Sequence, residues 1–197
     1  MNMRFALLLA LAGLVLPACA ATGDSPGYGG DDSGGVADFG REGTYFQAGW
    51  QESHVRKLRS MAPVDSGSSD KGYSARLGYR LEPDFAVEVE SDRATGYGLN
   101  VGPARAKLDT LSIALQGKYF FCDRRAQPYA LLGAGWTRAG GSAIEDQDAF
   151  FARGGVGMDY YLSETLALFA EGAYSVPTLD LHSIPHVDLQ AGLIIRF

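Results

Sequence analysis

The chain has 197 residues, a formal net charge of −6 and a pI of about 5.0. Apolar residues make up 46% and aromatic residues 11%, which excludes a disordered chain. With 20% charged residues and a mean hydropathy of −0.05, the chain is not a bundle of membrane-spanning helices. The acidic balance argues against nucleic acid as a partner, and two cysteines are too few for a disulfide scaffold.

Residues 1–20 are typical of a secretory signal peptide. Arg4 provides the positive charge, and residues 5–16 form an apolar run that is too short to span a membrane. Small residues at Ala18 and Ala20 predict cleavage after Ala20. We therefore expect the protein to leave the cytoplasm.

The next segment links this signal to a folded domain. Leu16-Pro17-Ala18-Cys19 resembles a lipoprotein box, which makes Cys19 a candidate lipidation site as an alternative to removal with the signal. Residues 21–42 are rich in Gly and Asp and have little to bury, so we expect a disordered linker. The folded domain is then expected over 43–197.

From Gly43 onward, apolar residues recur at every second position. A helix would mix the two sets of residues, whereas a strand separates them onto opposite faces. In the last segment the apolar face consists of Val187, Leu189, Ala191, Leu193, Ile195 and Phe197. The pattern predicts eight strands, at 44–51, 73–81, 85–90, 109–119, 129–137, 152–162, 166–175 and 187–197. The strand at 129–137 is apolar or small on both faces, so its register stays open.

The predicted connections alternate in length. Short turns follow Leu81, Phe121 and Leu162, whereas the other connections are long. All long connections fall at one end of an up-and-down meander, which predicts a barrel with one plain rim and one elaborate rim. The predicted long loops are 52–71, 93–106, 138–149 and 176–186.

Alternation alone is compatible with a soluble barrel that has an apolar interior or a membrane barrel that has an apolar exterior. The polar faces carry small residues and charges of both signs, which can pair in a narrow lumen, and Tyr and Trp lie toward strand ends. We therefore predict an all-β fold, an eight-stranded antiparallel up-and-down transmembrane β-barrel with an apolar exterior and a polar, plugged interior. The predicted interior ion network is Arg76, Arg80, Glu88, Glu90, Lys118, Arg153, Asp159, Glu171, Asp188 and Arg196.

On these features the chain resembles the small eight-stranded outer-membrane barrels, including the OmpA transmembrane domain, the OmpX/Ail group and the opacity-type porin-like proteins. The motifs are Gly78-Tyr79-Arg80-Leu81 with the following Glu82-Pro83-Asp84 turn, Gly155-Val156-Gly157-Met158, and the ending Gly192 to Phe197. The resemblance covers about residues 43–197. It implies an integral protein of the bacterial outer membrane, with a periplasmic N-terminus, extracellular long loops, and membrane lipids and lipopolysaccharide as partners. It also implies insertion by the barrel-assembly machinery, with Gly192, Ile195 and Phe197 as the assembly signal.

The resemblance implies a non-enzymatic, structural or adhesin-like role through the long loops, with no cofactor or metal and an unidentified external partner. Three alternatives stay open: a narrow pore through Gly-rich inner faces, a lipid-anchored or soluble ligand-binding barrel, and a lipid A-modifying hydrolase. The hydrolase would use His182 and Ser183 with Glu171 orienting the histidine, although Pro185 predicts a loop there. A metal site at His182 and His186 lacks a visible third ligand.

Two further features have weaker functional interpretations. Cys122 lies in a short turn beside Arg124 and Arg125, and it would be an unpaired, activated thiol if Cys19 leaves with the signal. The basic run 56–59 in the first long loop is either a solvated charge run or a contact for lipopolysaccharide phosphates or a host polyanion.

Overall fold

The structure is a computed structural model that describes residues 38–55, 69–101, 104–141, 144–178 and 186–197. Each strand pairs antiparallel with its neighbours in the chain, and β1 pairs with β8, so the sheet closes into an eight-stranded barrel. In the part of the chain that is described, no helix is long and apolar enough to cross a membrane. The strands are β1 (Gly43–Val55), β2 (Ser69–Glu82), β3 (Phe85–Val101), β4 (Ala104–Phe120), β5 (Ala126–Gly141), β6 (Ile144–Tyr161), β7 (Leu166–Thr178) and β8 (His186–Arg196).

The barrel is apolar outside and charged inside. Leu77 and Leu193 are 58% and 49% exposed on the outer surface, whereas Arg80 and Glu88 are 1% and 0% exposed in the lumen. A one-residue slip of any strand would exchange these faces and turn buried ions toward lipid. Because an arginine at the bilayer midplane costs about 2–4 kcal/mol, the register is strongly specified. The predicted fold and its predicted inside-out polarity are both confirmed.

The register of β5, left open by the sequence, is set by close packing inside the barrel. Tyr129 and Leu131 point inward and are buried, while Leu132 is exposed on the outer face. Gly133 is also inward, where an added Cβ would lie 2.6 Å from the Cβ of Gln116 on β4. Because both faces of β5 carry small residues, the alternation of polar and apolar residues does not reveal this arrangement.

Two of the predicted long loops are strand instead. The pairing of β3 with β4 continues to Val101 and Ala104, and that of β5 with β6 continues to Gly141 and Ile144. The described residues of 93–106 and 138–149 therefore belong to strands that lengthen the barrel wall. Glycines and charged residues interrupt the apolar alternation here, which is why these segments have the composition of loops.

The other two predicted long loops are shorter than expected. β1 continues to Val55 and β2 begins at Ser69, while β7 continues to Thr178 and β8 begins at His186. The remaining loop residues lie outside the described ranges. We call the end that carries the connections 83–84, 121–125 and 162–165 the turn end, and the opposite end the ribbon end.

Inward aromatic rings pack against glycines of neighbouring strands. Tyr45 and Tyr129 lie over Gly78 and Gly157, where an added Cβ would overlap each tyrosine ring. Phe169 also points inward and is buried; an added Cβ at Gly49 would lie 2.7 Å from its ring, and one at Gly192 2.8 Å. These glycines make the room that large rings need in a narrow lumen.

We expect Gly157→Ala to lower the free energy of unfolding by about 1–3 kcal/mol, because the new methyl group would overpack the Tyr129 ring. Urea unfolding in lipid vesicles measures this change. Gly154→Ala is the matched control on the same strand, since a Cβ there has its nearest neighbour at 3.8 Å. Equal urea midpoints for the two variants would contradict the packing argument.

Candidate functional site: the polar lumen

Two arginines and two glutamates form an ion cluster at the centre of the lumen. Arg76 donates to both oxygens of Glu171 at 2.7 Å, and its ion pair with Glu90 is 3.2 Å long. Arg153 donates to Glu90 at 2.6 Å and to Glu171 at 2.9 Å. We call these four residues the central cluster. They come from β2, β3, β6 and β7, so the cluster crosses the barrel and joins strands that are not neighbours.

A second set of charges lies against the central cluster. Lys118 contacts Glu88 at 3.0 Å and Asp159 at 3.7 Å, and its ammonium group lies 4.0 Å from the centre of the Tyr129 ring. Glu88 also accepts hydrogen bonds from the Tyr45 hydroxyl at 2.6 Å and from Gln116. The mixture of ion pairs, hydrogen bonds and ring contacts offsets the cost of removing these ions from water.

Toward the ribbon end, the network becomes mainly neutral. Asp188 accepts a hydrogen bond from Ser53 at 2.6 Å and lies 3.4 Å from the Nε2 atom of His186. Gln190 donates to Glu90 at 2.9 Å and to Gln51 at 3.1 Å, which connects this layer to the central cluster.

At the turn end, two buried arginines use neutral acceptors. Arg196 donates to the backbone carbonyls of Phe39 and Arg41, and Arg80 donates to the carbonyls of Phe39 and Pro83. Arg80 also donates to the side-chain oxygen of Gln127 at 2.7 Å. Among the described residues, neither arginine forms an ion pair with a carboxylate, which differs from the pairing expected for the interior charges.

All ten residues of the predicted ion network are buried in the lumen. Asp92, which was not among the predicted residues, continues the inward positions of β3 beyond Glu90 and is buried. Tyr45 and Tyr129 were not predicted to join the network either, although their hydroxyls donate to Glu88 and Glu171. Extending the alternation of β3 by two residues would have identified Asp92 as an inward residue. Alternation does not show, however, that an inward tyrosine acts as a hydrogen-bond donor.

The lumen is closed near the turn end. The side chains there pack so closely that no room for a water molecule is left among them. Its lining consists of Tyr45, Arg80, Phe120, Asp159, Tyr161, Ile194 and Arg196.

The candidate catalytic residues are described only in part. His182 and Ser183 lie outside the described ranges, and Glu171 binds Arg76 and Arg153. Over the described parts of the chain, no three His, Cys, Asp or Glu residues are placed to hold a metal ion.

The turn at Cys122 is tied to the neighbouring backbone. The Cys122 sulfur lies 3.5 Å from the carbonyl oxygen of Ala126. The prediction of an activated thiol there depends on the removal of Cys19, so it stays a prediction. Arg125 donates to the carbonyl of Tyr161 at 2.8 Å and to that of Leu162 at 3.2 Å, which links this turn to the next one. Cys19 and the basic run 56–59 lie outside the described residues.

The residues of the predicted assembly signal lie at the closing seam. Ile195 and Phe197 face outward, while Gly192 lies against Gly49 and the Phe169 ring. The backbone N–H of Phe197 donates to the carbonyl of Thr44 at 3.0 Å. Their role in assembly stays a prediction.

The family model for the outer membrane protein β-barrel domain matches residues 6–191. The chain belongs to this family. An outer membrane protein β-barrel domain thus accounts for the closed sheet, the apolar exterior and the buried ions. The predicted family and an integral position in the bacterial outer membrane are therefore confirmed.

Solved structures share the fold of this outer membrane β-barrel. Neisserial surface protein A is 21% identical over 78% of this chain and 97% of its own, with a TM-score of 0.60. Ail of Yersinia pestis, in complex with the heparin analogue sucrose octasulfate, is 18% identical over 79% and 99%, with a TM-score of 0.56. OprG of Pseudomonas aeruginosa is 15% identical over 85% and 99%, with a TM-score of 0.57. The comparison with curated proteins gives no match.

We expect Glu171→Gln to destabilise the barrel by about 3–5 kcal/mol, because it removes a buried anion that two arginines share. Urea unfolding in lipid vesicles, followed by the mobility of the unboiled protein on gels, measures the loss. Glu164→Gln, in an exposed turn at 162–165, is the matched control and should leave the midpoint unchanged. A Glu171→Gln barrel as stable as the control would show that the central cluster contributes little.

Proposed function

We propose that this protein is a non-conducting outer-membrane barrel with a structural or adhesin-like role, which presents its ribbon end to partners outside the cell. The observation that carries the proposal is the central cluster, which fills the lumen with four mutually paired ions. A solute or ion moving through the lumen would have to separate these pairs. Breaking one partner from a buried pair costs about 3–5 kcal/mol, which disfavours the pore alternative.

The ribbon end supplies the surface for interaction. β2 pairs with β3 as far as Thr95, yet β3 continues to Val101 in partnership with β4. The pairing of β4 with β5 extends to Leu108 and Gly141, so β3 to β6 form a continuous four-stranded wall at this end. Hydrogen-bonded strands lose less conformational entropy on binding than open loops do, which favours a recognition role for this wall.

We also propose an orientation in the membrane and a domain organisation. Residues 1–20 are a signal peptide, residues 21–42 lead into the barrel from the periplasmic side, and the barrel at 43–197 has its turn end in the periplasm and its ribbon end outside. Short turns on the periplasmic side and longer external segments are the usual asymmetry of such barrels. Lipopolysaccharide would surround the external half, and the barrel-assembly machinery would insert the chain through Gly192, Ile195 and Phe197.

A sulfated polyanion is the first partner class to test. The Ail structure contains a heparin analogue, and β4 of this chain has Arg105 and Lys107 close to its start at the ribbon end. The sequence between β1 and β2 adds Arg56, Lys57 and Arg59. Clustered cations attract polyanions over a range that salt limits to about 8–10 Å under physiological conditions. The proposed role is non-enzymatic, which is supported by the engagement of Glu171 with Arg76 and Arg153.

We expect planar bilayers that contain the purified protein to show no stable open state, because the paired ions block the lumen. Single-channel recording measures this, with an established porin in the same bilayer as the positive control. A large, steady conductance would overturn the non-conducting part of the proposal.

We expect cells that display the protein to bind immobilised heparin, and Arg105→Ser together with Lys107→Ser to weaken binding by about tenfold at physiological salt. Arg124→Ser, an exposed cation at the turn end, is the control and should not change binding. Binding that falls equally in both variants would reject the ribbon end as the site, and no binding at any salt concentration would reject a polyanion partner.

A further inference from the structure

The turn end is crossed by a short segment that belongs to none of the eight strands. Residues Asp38–Glu42, which we call the strap, precede β1 and fall within the segment that the sequence assigns to the linker. The strap passes between two turns: an added Cβ at Gly40 would lie 3.1 Å from the Cβ of Asp123 and 3.5 Å from that of Pro83. The ring of Phe39 packs against that of Tyr161, with centroids 5.4 Å apart.

One carbonyl of the strap joins three strands. The backbone oxygen of Phe39 accepts from Arg196 of β8 at 2.7 Å, from Gln127 of β5 at 3.0 Å and from Arg80 of β2 at 3.3 Å. The next carbonyl but one, that of Arg41, accepts a second hydrogen bond from Arg196. The strap thus brings backbone acceptors to the middle of the barrel mouth.

These acceptors lie where two positive charges are buried without a carboxylate. Arg80 and Arg196 are 1% and 4% exposed, and among the described residues neither pairs with an acid. A buried ion without a partner costs several kcal/mol. Arg80 also donates to the carbonyl of Pro83 and the side chain of Gln127. Among the described residues, the hydrogen-bond acceptors of the Arg196 guanidinium are the strap carbonyls of Phe39 and Arg41. Arg196 therefore depends on the strap.

The strap also lies at the seam where the barrel closes. Arg196 is the last residue of β8, and the strap leads directly into β1, its pairing partner. Gly43, at the start of β1, has φ of 138°, a conformation in the region that favours glycine, and it turns the chain from the strap into the strand.

We propose that the strap is a latch that seals the turn end and locks β8 to β1 by supplying carbonyl acceptors to Arg196 and Arg80. Displacing it uncovers Arg80 and Arg196 at this end of the barrel and leaves the central cluster in place. The latch needs no external partner and does not depend on the proposed surface role.

Trypsin tests the latch, because Arg41 itself is a cleavage site whose carbonyl is held by Arg196. In the folded full-length protein we expect slow cleavage after Arg41, followed by mass spectrometry of the new ends. Gly40→Val should speed this cleavage by about tenfold or more, because its side chain collides with Asp123 and Pro83 and favours local opening. Gly154→Val is the control, since that glycine faces outward and the nearest atoms to its Cβ position lie 3.8 Å away.

A wild-type protein cleaved after Arg41 as fast as Gly40→Val, with both barrels still folded on unboiled gels, would overturn the latch. A second measurement tests the role of the charges. The background for this measurement carries Arg80→Met and Arg196→Met. There, Gly40→Val should lower the urea midpoint by less than it does in the wild type, because the strap carbonyls no longer accept hydrogen bonds from two cations. Equal decreases in the two backgrounds would also overturn the proposal, and the trypsin comparison does not require this background to fold.

Discussion

Hydrocarbon around a membrane barrel offers no hydrogen bonds, so every backbone N–H and C=O in the bilayer must find its partner within the sheet. Closure of β1 onto β8 meets that requirement and leaves no open edge across the membrane. Eight strands enclose a lumen just wide enough for side chains, so the polar residues that cannot face lipid must pack against one another there. The ion pairs, the aromatic rings packed against glycines and the strap all provide partners or space for groups in this narrow lumen.

The ionic interior specifies the arrangement of strands more than it stabilises the fold. A buried salt bridge is weak evidence for stability, because the cost of desolvation consumes most of the attraction between the charges. The ion pairs of the central cluster, however, form only when Arg76, Glu90, Arg153 and Glu171, which come from four strands, lie at the same level of the lumen. A shifted register would leave charges unpaired on one side and exposed to lipid on the other.

Much of this structure could be predicted from the sequence, because lipid selects outward residues so strongly. The alternation of Leu77 with Arg76, and of Val89 with Glu88, predicted both the strands and their faces correctly. The prediction was less successful for residues that lipid does not select, at the ribbon end and inside the lumen. Residues 96–101 form strand although their composition resembles a loop, and Gly133 gives no sign of which face it occupies. The partners of Arg80 and Arg196 could not be foreseen, since a backbone carbonyl such as that of Phe39 has no signature in the sequence.

The meeting of the two ends of the barrel wall has a consequence for protein engineering. A Cβ at Gly43 would lie 3.5 Å from the carbonyl oxygen of Phe197, so a short peptide could join these positions. Circular permutants opened at the Pro83-Asp84 connection would then keep every strand pair of the native sheet. A linker from Phe197 to Gly43 would take the place of residues 38–42, so it would also have to supply the two carbonyls that Phe39 and Arg41 offer to Arg196. The order of the strands along the chain could thus be changed without altering the wall that faces the lipid.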